Sequence, residues 1–483
     1  MDPGRERLSM KTKLAFGVGA SAETIALYAV ASWAMLYYNQ VLGVPAYMAG
    51  IALSISLVLD GLTEPIVGSW SDRTKSKLGR RHPWMFAAPI PIALAFYGIW
   101  NPPASFDHLE KAIWCGAMIT AIRQVMSFFH TPHLALGGEL SPHYTERSKV
   151  MAYNSFFGWV GGAGVMLIGL TFFFPKSAEY RNGLLNPEPW QAFSIVFALA
   201  IMAIMLISTW FTKDRIPYLP QPAQDAPKFS PNVFFGDVLK ALTNRNYVWL
   251  LVGYFFLSLM LGLRENLRIY LYSYYWELTT ESMRLFVIGS FVGYLTAFLF
   301  AARLHGRFDK KRTIIVSLLA YSLIPVIPIL MGMTGVLGPD SPGLIWILIA
   351  FAGLTYCAFS ILAISTMSAL ADIADENELR HGVRQEGILY STRALAAKMD
   401  QAIGSLAAGS VISLIGLSGK VKPGEVEADV LHNLALWDGP LGAVPGIIAA
   451  FFYARYRITK TTYEETKLAL AVRRAGLAAA PAE

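Results

Sequence analysis

Two carboxylates stand four residues apart inside an apolar stretch of the chain. They are Asp60 and Glu64, in the segment YMAGIALSISLVLDGLTEPIVGSW. Residues four apart share one face of a helix, so both side chains point to the same side. Charges inside a membrane-spanning helix are costly and usually face a cavity or an ion pathway. The spacing therefore predicts a functional carboxylate pair that faces a cavity, with a structural ion pair between helices as the alternative.

The depth of these carboxylates supports the first interpretation. Asp60 precedes Asp72 by twelve positions, or ~18 Å at the helical rise per residue, which is near the middle of a ~30 Å hydrocarbon core. Lys398 comes from the opposite half of the chain, and we expect it or a bound cation to offset these charges. Further ionisable residues in apolar segments are Glu23, Arg123, His130, Arg264, Glu265, Arg268, Arg393 and Asp400.

A second constellation is the pair His130 and His133 in the segment HTPH. Two histidines three apart could begin a metal site, but Pro132 lies between them and no third ligand is evident. A membrane-embedded hydrolase using both histidines and Glu139 is the alternative from another functional class. No nucleophile elbow or metal signature supports it, so we expect neither an enzyme nor a metal site beyond a bound sodium ion.

The composition fixes the class of protein. Of 483 residues, 54% are hydrophobic and only 15% are charged, whereas about 25% are charged in soluble domains. The chain is therefore predicted to be an integral membrane protein. Its two cysteines, Cys115 and Cys357, lie in apolar runs and imply no disulfide framework.

A membrane-spanning helix needs about 20 apolar residues, and the chain contains twelve such segments. They are residues 14–42, 46–71, 83–101, 111–141, 147–174, 190–212, 246–276, 283–304, 312–335, 342–372, 385–416 and 432–455.

Basic residues mark alternate connections between these spans. The loops after spans 2 and 8 read DRTKSKLGRRH and RLHGRFDKKR, whereas the loops after spans 1 and 9 contain no Lys or Arg. By the positive-inside rule, both termini are cytoplasmic. The net charge of +7 therefore reflects topology, and no nucleic-acid partner is expected.

The matching places of the two basic loops indicate two related halves. We predict an N-terminal six-helix bundle over 1–212, a cytoplasmic linker over 213–245, a C-terminal bundle over 246–460 and a cytoplasmic tail over 461–483. Two such bundles would surround a central cavity with the binding site near the membrane midplane. Aromatic clusters in YYNQ and YLYSYYWEL are expected to lie mostly in the interfacial belt.

Four stretches resemble one transporter family. They are DGLTEPIVGSWSDRTKSKLGRRHPW, TPHLALGGELSPHYTERSK, ADIADENELRHGVRQEG and EGILYSTRALAAKMDQAIG, in family order across both halves. Together they resemble the glycoside–pentoside–hexuronide:cation symporters, the melibiose permease group of the major facilitator superfamily. The resemblance implies an all-α membrane protein with that superfamily's fold.

The resemblance also implies a cation site. The span 2 carboxylates of the family match Asp60 and Glu64, with Thr63 before the second. A span 4 hydroxyl matches Ser127, and the span 11 lysine matches Lys398. The chain departs from melibiose permease at His130, where that protein has an aspartate, so Na⁺ and H⁺ both remain open as coupling ions.

The sugar-binding residues of the family match less well. Its first-span aspartate aligns with Thr24, beside Glu23, and its span 5 arginine falls near Asn154. Arg123 could meet an anionic group, as on a sugar acid or sulfonated sugar. The remaining expected substrate contacts are Arg264, Glu265 and Arg393. His130 followed by Pro132 also resembles the vertebrate lysophospholipid symporters of the same superfamily.

The expected function is cation-coupled symport of a sugar or glycoside by alternating access, with a lysophospholipid-like amphiphile as the alternative substrate. We expect ionic locks on the inner face formed by Asp72, Arg73, Glu139 and Arg147. The protein is expected to work as a monomer in the plasma (inner) membrane, without a cofactor.

Overall fold

A computed structural model describes residues 8–141, 143–219, 236, 238–239, 241–381, 386–417, 419–458 and 460–479. Helices make up the ordered elements of this part of the chain. In chain order they are α1 (Met10–Leu36), α2 (Ala46–Arg73), α3 (His82–Ala87), α4 (Pro89–Trp100), α5 (His108–Glu139), α6 (Tyr144–Ile168), α7 (Pro189–Thr212), α8 (Arg245–Tyr270), α9 (Thr280–Met283), α10 (Phe286–Arg307), α11 (Lys310–Leu323), α12 (Val326–Met333), α13 (Leu344–His381), α14 (Glu386–Leu414), α15 (Ala428–Asp438), α16 (Pro440–Tyr453) and α17 (Lys460–Ala479).

These helices confirm the prediction of an all-α membrane protein. Within the described residues, eleven helices are long and apolar enough to cross a membrane. The predicted span 11 coincides with α14. This helix begins directly after residues 382–385, and those four residues lie outside the described part. Most of the predicted linker 213–245 also lies outside it, so the count of twelve spans and the domain boundaries stay predictions.

Three predicted spans are interrupted by residues that break helices. Span 3 changes direction at Ala88, before Pro89, and span 9 is broken at Pro325. In span 12, Gly439 separates α15 from α16. Proline lacks the backbone N–H that a helix interior needs, which is why the first two breaks fall beside prolines.

The chain divides into two compact units. The first contains the described residues of Met1–Phe229 together with Glu265–Arg284 and Ser405–Leu434. In it, α1 packs against α5, α6 and α7, while α5 also packs against α2 and α4. Gly161 lets α6 approach α1 closely, since a Cβ there would lie 2.2 Å from Oγ1 of Thr24. This packing fixes the rotation of α1, α2 and α5, which carry the charged residues of this unit.

The aromatic residues of YYNQ and YLYSYYWEL are mostly buried within the protein, and their place at the membrane interface stays a prediction. Tyr38, Tyr270 and Tyr274 are fully buried, and Tyr37 is nearly so. Their hydroxyls donate to groups inside this unit: Tyr37 to the carbonyl of Trp100 at 2.6 Å, and Tyr274 to Oε1 of Gln40 at 2.9 Å. Inside a membrane, polar groups need protein partners because water is absent, and this requirement draws the hydroxyls inward.

The second unit contains the described residues of Ser230–Arg264, Leu285–Gly404 and Ala435–Glu483. Its helix α13 packs against α10, α11 and α17, and α11 packs against α16. A buried apolar core around Tyr247, Leu370 and Tyr453 holds these helices together. At the predicted inner end, Lys310 pairs with Asp372 at 2.7 Å, so this unit has an ionic contact that the sequence did not predict.

Candidate functional site

The first unit places Asp60 of α2 beside one face of α5. The Asp60 side chain is buried, with 6% of its residue surface exposed. The hydroxyl of Ser127 donates to its Oδ1 at 3.3 Å, and Nη1 of Arg123 lies 3.7 Å from its Oδ2. Arg123 and Ser127 are one helical turn apart and so reach the same carboxylate. The predicted cation-site carboxylate therefore contacts a guanidinium that belongs to the chain itself.

A second contact between the same two helices lies one turn along α2. The hydroxyl of Thr63 donates a short hydrogen bond to Oε1 of Gln124. Glu64 follows directly and is half-buried. The sequence did not single out Gln124, although its position next to Arg123 and three before Ser127 was the available signal. Carboxylate, hydroxyl and amide oxygens of this kind are what hard cations prefer as ligands.

A third polar contact joins α1 to α5. Nδ1 of His130 and Oε2 of Glu23 are 2.5 Å apart. Both side chains are partly exposed, by 30% and 23%. His133, one turn further along α5, is buried, stacks on Phe16 and hydrogen-bonds the backbone carbonyl of Phe16 at 2.9 Å. His130 is therefore the histidine that pairs with an acidic side chain, while His133 packs the helices.

The other expected substrate residues of the first unit have different surroundings. The hydroxyl of Thr24 donates to the backbone carbonyls of Ala20 and Ser21, both at 3.1 Å, so it is used within its own helix. Oδ1 of Asn154 is buried and has no hydrogen-bond partner among the described residues. Asn154 therefore has an acceptor that the described residues do not use, whereas Thr24 stabilises α1.

Glu265 also belongs to the first unit. Its Oε1 lies 3.3 Å from Nη1 of Arg268, and 43% of its side chain is exposed. This is a pair within one helical turn of α8, and pairs of that kind contribute only a few tenths of a kcal/mol. The contact fits the structural interpretation as readily as a binding role.

The second unit holds the remaining expected residues. Arg264 is buried and donates to the carbonyl of Gly439 at 3.3 Å. Arg393 donates to the hydroxyl of Tyr254 at 2.9 Å and stacks on its ring, 4.4 Å from the centroid. Lys398 is half-buried. The expected encounter of Lys398 with the carboxylates of α2 stays a prediction.

The expected ionic lock between Asp72, Glu139 and the basic loop DRTKSKLGRRH is centred on Arg81 of that loop. Arg81 reaches Asp72 at 2.6 Å and Glu139 at 2.7 Å, and Arg80 also reaches Glu139 at 2.7 Å. Arg147 is exposed. Asp72 and Glu139 are thus brought together by a shared arginine, which a guanidinium does well because it offers several donors in one plane.

A neighbouring ion pair uses Glu146 in place of Arg147. Nζ of Lys13 lies 2.6 Å from Oε2 of Glu146, and Nζ of Lys149 lies 2.8 Å from Oε1. The pair ties the beginning of α1 to the beginning of α6. No group of three or more His, Cys, Asp or Glu residues arranged to hold a metal occurs in the described part of the chain.

Comparison with known proteins adds a family to this geometry. A family model described as MFS/sugar transport protein matches residues 15–460. The chain is 25% identical to a Synechocystis protein named as an uncharacterized symporter, sll1374, over 94% of the chain and 96% of that protein. It is 22% identical to the isoprimeverose transporter of Lactiplantibacillus pentosus, over 94% of the chain and 89% of the relative.

The chain is also similar to transporters of other kinds of molecule. The chain is 24% identical to the sphingosine-1-phosphate transporter MFSD2B of Mus musculus, over 83% of the chain and 81% of the relative. The crystal structure of the nucleoside transporter NupG matches with a TM-score of 0.59 and 12% identity, covering 93% of the chain and all of NupG. The last match concerns the fold alone.

Proposed function

The chain belongs to the MFS/sugar transport protein family, and from this premise we propose that it is a secondary transporter that moves a sugar or glycoside together with a cation. The observation that carries the proposal is the buried Asp60 carboxylate with Arg123 and Ser127 around it. In a transporter family, a buried charge near the membrane midplane usually indicates an ion or substrate pathway.

The coupling follows from competition for one carboxylate. Arg123 neutralises Asp60 when no external cation is bound. A Na⁺ or H⁺ that binds Asp60 takes over this neutralisation and releases the guanidinium toward the cavity. The freed Arg123 then binds an acidic or hydroxyl group of the substrate. Because the two binding events share Arg123, each strengthens the other by the same free energy.

The other polar contacts of the first unit fit around this exchange. Thr63, Glu64 and Gln124 supply oxygen atoms next to Asp60. The imidazole of His130 and the carboxylate of Glu23 are close enough to share a proton. Asn154 offers its amide oxygen to the substrate.

Alternating access also requires ion pairs that break and re-form. Asp72, Arg81 and Glu139 make such a group at the predicted inner face, and Arg73 lies next to Asp72. We also propose that both termini lie in the cytoplasm, because basic loops alternate along the sequence, and that the protein acts as a monomer in the plasma membrane.

The test of coupling is the substitution Asp60→Asn, assayed in proteoliposomes with an imposed sodium or proton gradient. The variant keeps the size of the side chain and removes its charge. We expect cation-driven accumulation to be lost while binding of the substrate to purified protein persists. Accumulation equal to that of the unchanged protein would contradict the coupling role.

A second substrate class is favoured by the similarity to MFSD2B. In that case the same cation site would drive transport of a lysophospholipid-like amphiphile. A thermal-shift screen of the purified protein against sugars, sugar acids and lysolipids, with and without sodium at two pH values, separates the two. The ligand class that raises the melting temperature is the one bound by the folded state.

A further inference from the structure

Asp400 is a buried carboxylate at the centre of a membrane helix. It lies fourteen residues into α14, ~21 Å from the beginning of the helix at 1.5 Å per residue. Only 2% of its surface is exposed, and its Oδ2 has no hydrogen-bond partner among the described residues. The mechanism proposed above does not use this residue.

The burial of Asp400 results from a close crossing of α8 and α14 in the second unit. A Cβ on Gly404 would lie 2.7 Å from the Cα of Gly262 and 2.8 Å from the carbonyl oxygen of Leu259. A Cβ on Gly262 would lie 2.8 Å from the carbonyl oxygen of Gln401. Only glycines let the two backbones approach this closely. The crossing therefore excludes solvent next to Asp400.

Among the described residues, Asp400 forms no ion pair. Charged residues on α8 and on its own helix include Arg264, Arg393 and Lys398. Arg264 is used by the carbonyl of Gly439, and Arg393 by the hydroxyl of Tyr254.

An ionised carboxylate in this position would be very unfavourable. Burying an isolated charge without a partner costs far more than burying the neutral group, and in practice the group takes up a proton instead. The neutral acid can be buried at the cost of an ordinary polar group. The conformation seen here therefore requires a proton on Asp400.

We propose that Asp400 is a proton-binding residue of the transport cycle, separate from the site at Asp60. The inference rests on the proposed symport function and specifies one of its ions. When α8 and α14 are packed at Gly262 and Gly404, the carboxyl holds its proton. A conformation that opens this crossing to water allows the O–H bond to break, and the proton passes to water while the carboxylate stays on the protein. Closing the crossing again requires a proton from the solution.

The first test is infrared spectroscopy of the purified full-length protein at neutral pH. We expect the carbonyl stretch of a protonated carboxyl, shifted in D₂O and missing in Asp400→Asn. Asp372→Asn is the matched control, because Asp372 is also buried but is paired with Lys310 at 2.7 Å, so the band should persist. Identical spectra for the unchanged protein and Asp400→Asn would overturn the proposal.

Asp400→Glu is a second variant that keeps the test decisive if Asp400→Asn does not fold. It keeps the carboxyl and places it one methylene further out, so the band should persist at a shifted frequency. A band that does not move in Asp400→Glu would assign the proton to another residue and overturn the proposal.

The second test is the pH dependence of unfolding, which needs no substrate. A carboxyl that is neutral when folded loses its proton on unfolding above about pH 4. Stability should therefore fall as pH rises, with the unfolding equilibrium constant of the unchanged protein rising up to tenfold more per pH unit than that of Asp400→Asn. Equal pH slopes would overturn the proposal. Failure of the protein to accumulate any substrate would end the proposed function and leave both readouts unaffected.

Discussion

Replacing Arg123 with methionine should tighten sodium binding at Asp60. In the structure, Nη1 of Arg123 lies 3.7 Å from Oδ2 of Asp60, and about nine-tenths of each side chain is buried. A cation that approaches Asp60 must displace this guanidinium. Methionine keeps most of the length of the side chain but offers no charge, so the competitor is removed.

The magnitude follows from the geometry of the pair. Two unit charges about 4 Å apart attract by about 4 kcal/mol at an effective dielectric constant of about 20. Desolvation of the guanidinium offsets part of this attraction. A net attraction of about 2 kcal/mol between Arg123 and Asp60 corresponds to an about 30-fold lower sodium affinity, at about 1.4 kcal/mol per factor of ten.

The assay is a sodium titration of the purified protein, followed by its melting temperature at constant pH and ionic strength with choline as the replacement ion. We expect the sodium midpoint of Arg123→Met to fall about 30-fold below that of the unchanged protein. Arg123→Lys keeps a positive charge and is the matched control, with a smaller shift. The double variant Arg123→Met with Asp60→Asn should lose the sodium effect.

Two results would refute this reasoning. Equal sodium midpoints for the unchanged protein and Arg123→Met would mean that the guanidinium does not compete for Asp60. A sodium effect that survives in the double variant would place the cation elsewhere. Tighter sodium binding in Arg123→Met should also come with loss of substrate coupling, because the group that joins the two binding events is gone.

The remaining predictions concern packing and the inner-face ion pairs. Gly161→Ala should destabilise the protein by about 1–3 kcal/mol, because the new methyl would overlap a threonine hydroxyl and a serine carbonyl of α1. Gly164→Ala on the same helix meets no atom within 4 Å, so thermal denaturation should show no loss, and an equal loss in both variants would contradict the close-approach argument. Arg81→Gln should lower stability by about 3 kcal/mol and more than Arg80→Gln, since Arg81 is nearly fully buried and contacts a second carboxylate besides Glu139. Melting temperatures of the two arginine variants test this order. A larger decrease for Arg80→Gln than for Arg81→Gln would contradict it.

Much of the fold was accessible from sequence because the membrane restricts what a chain can do. Long apolar runs must form helices there, since the backbone has no water to bond, and eleven such helices occur among the described residues. This requirement depends only on the length and polarity of one continuous segment, and both can be recognised in the sequence. The breaks within spans 3, 9 and 12 were not accessible in this way, since Pro65 and Pro132 lie inside continuous helices.

The sequence also determined which residues could carry function, by the cost of charge in an apolar span. Asp60, Glu64 and His130 stood out on this ground alone. What it left open was which partner each charge would find. That Arg123 contacts Asp60, that Gln124 meets Thr63, and that Tyr37 turns inward depend on the rotation of each helix about its axis.

Only the tertiary structure decides that rotation, because it comes from contacts between residues far apart in the chain. Gly161 against α1 and Gly262 against α14 set how closely helices approach, and the approach then decides which side chains share a space. Packing also leaves the side chains of Glu23 and His130 partly exposed, whereas it buries the side chain of Asp400. Sequence determined where the charges are, and helix packing decided which are neutralised by a neighbour and which need a proton.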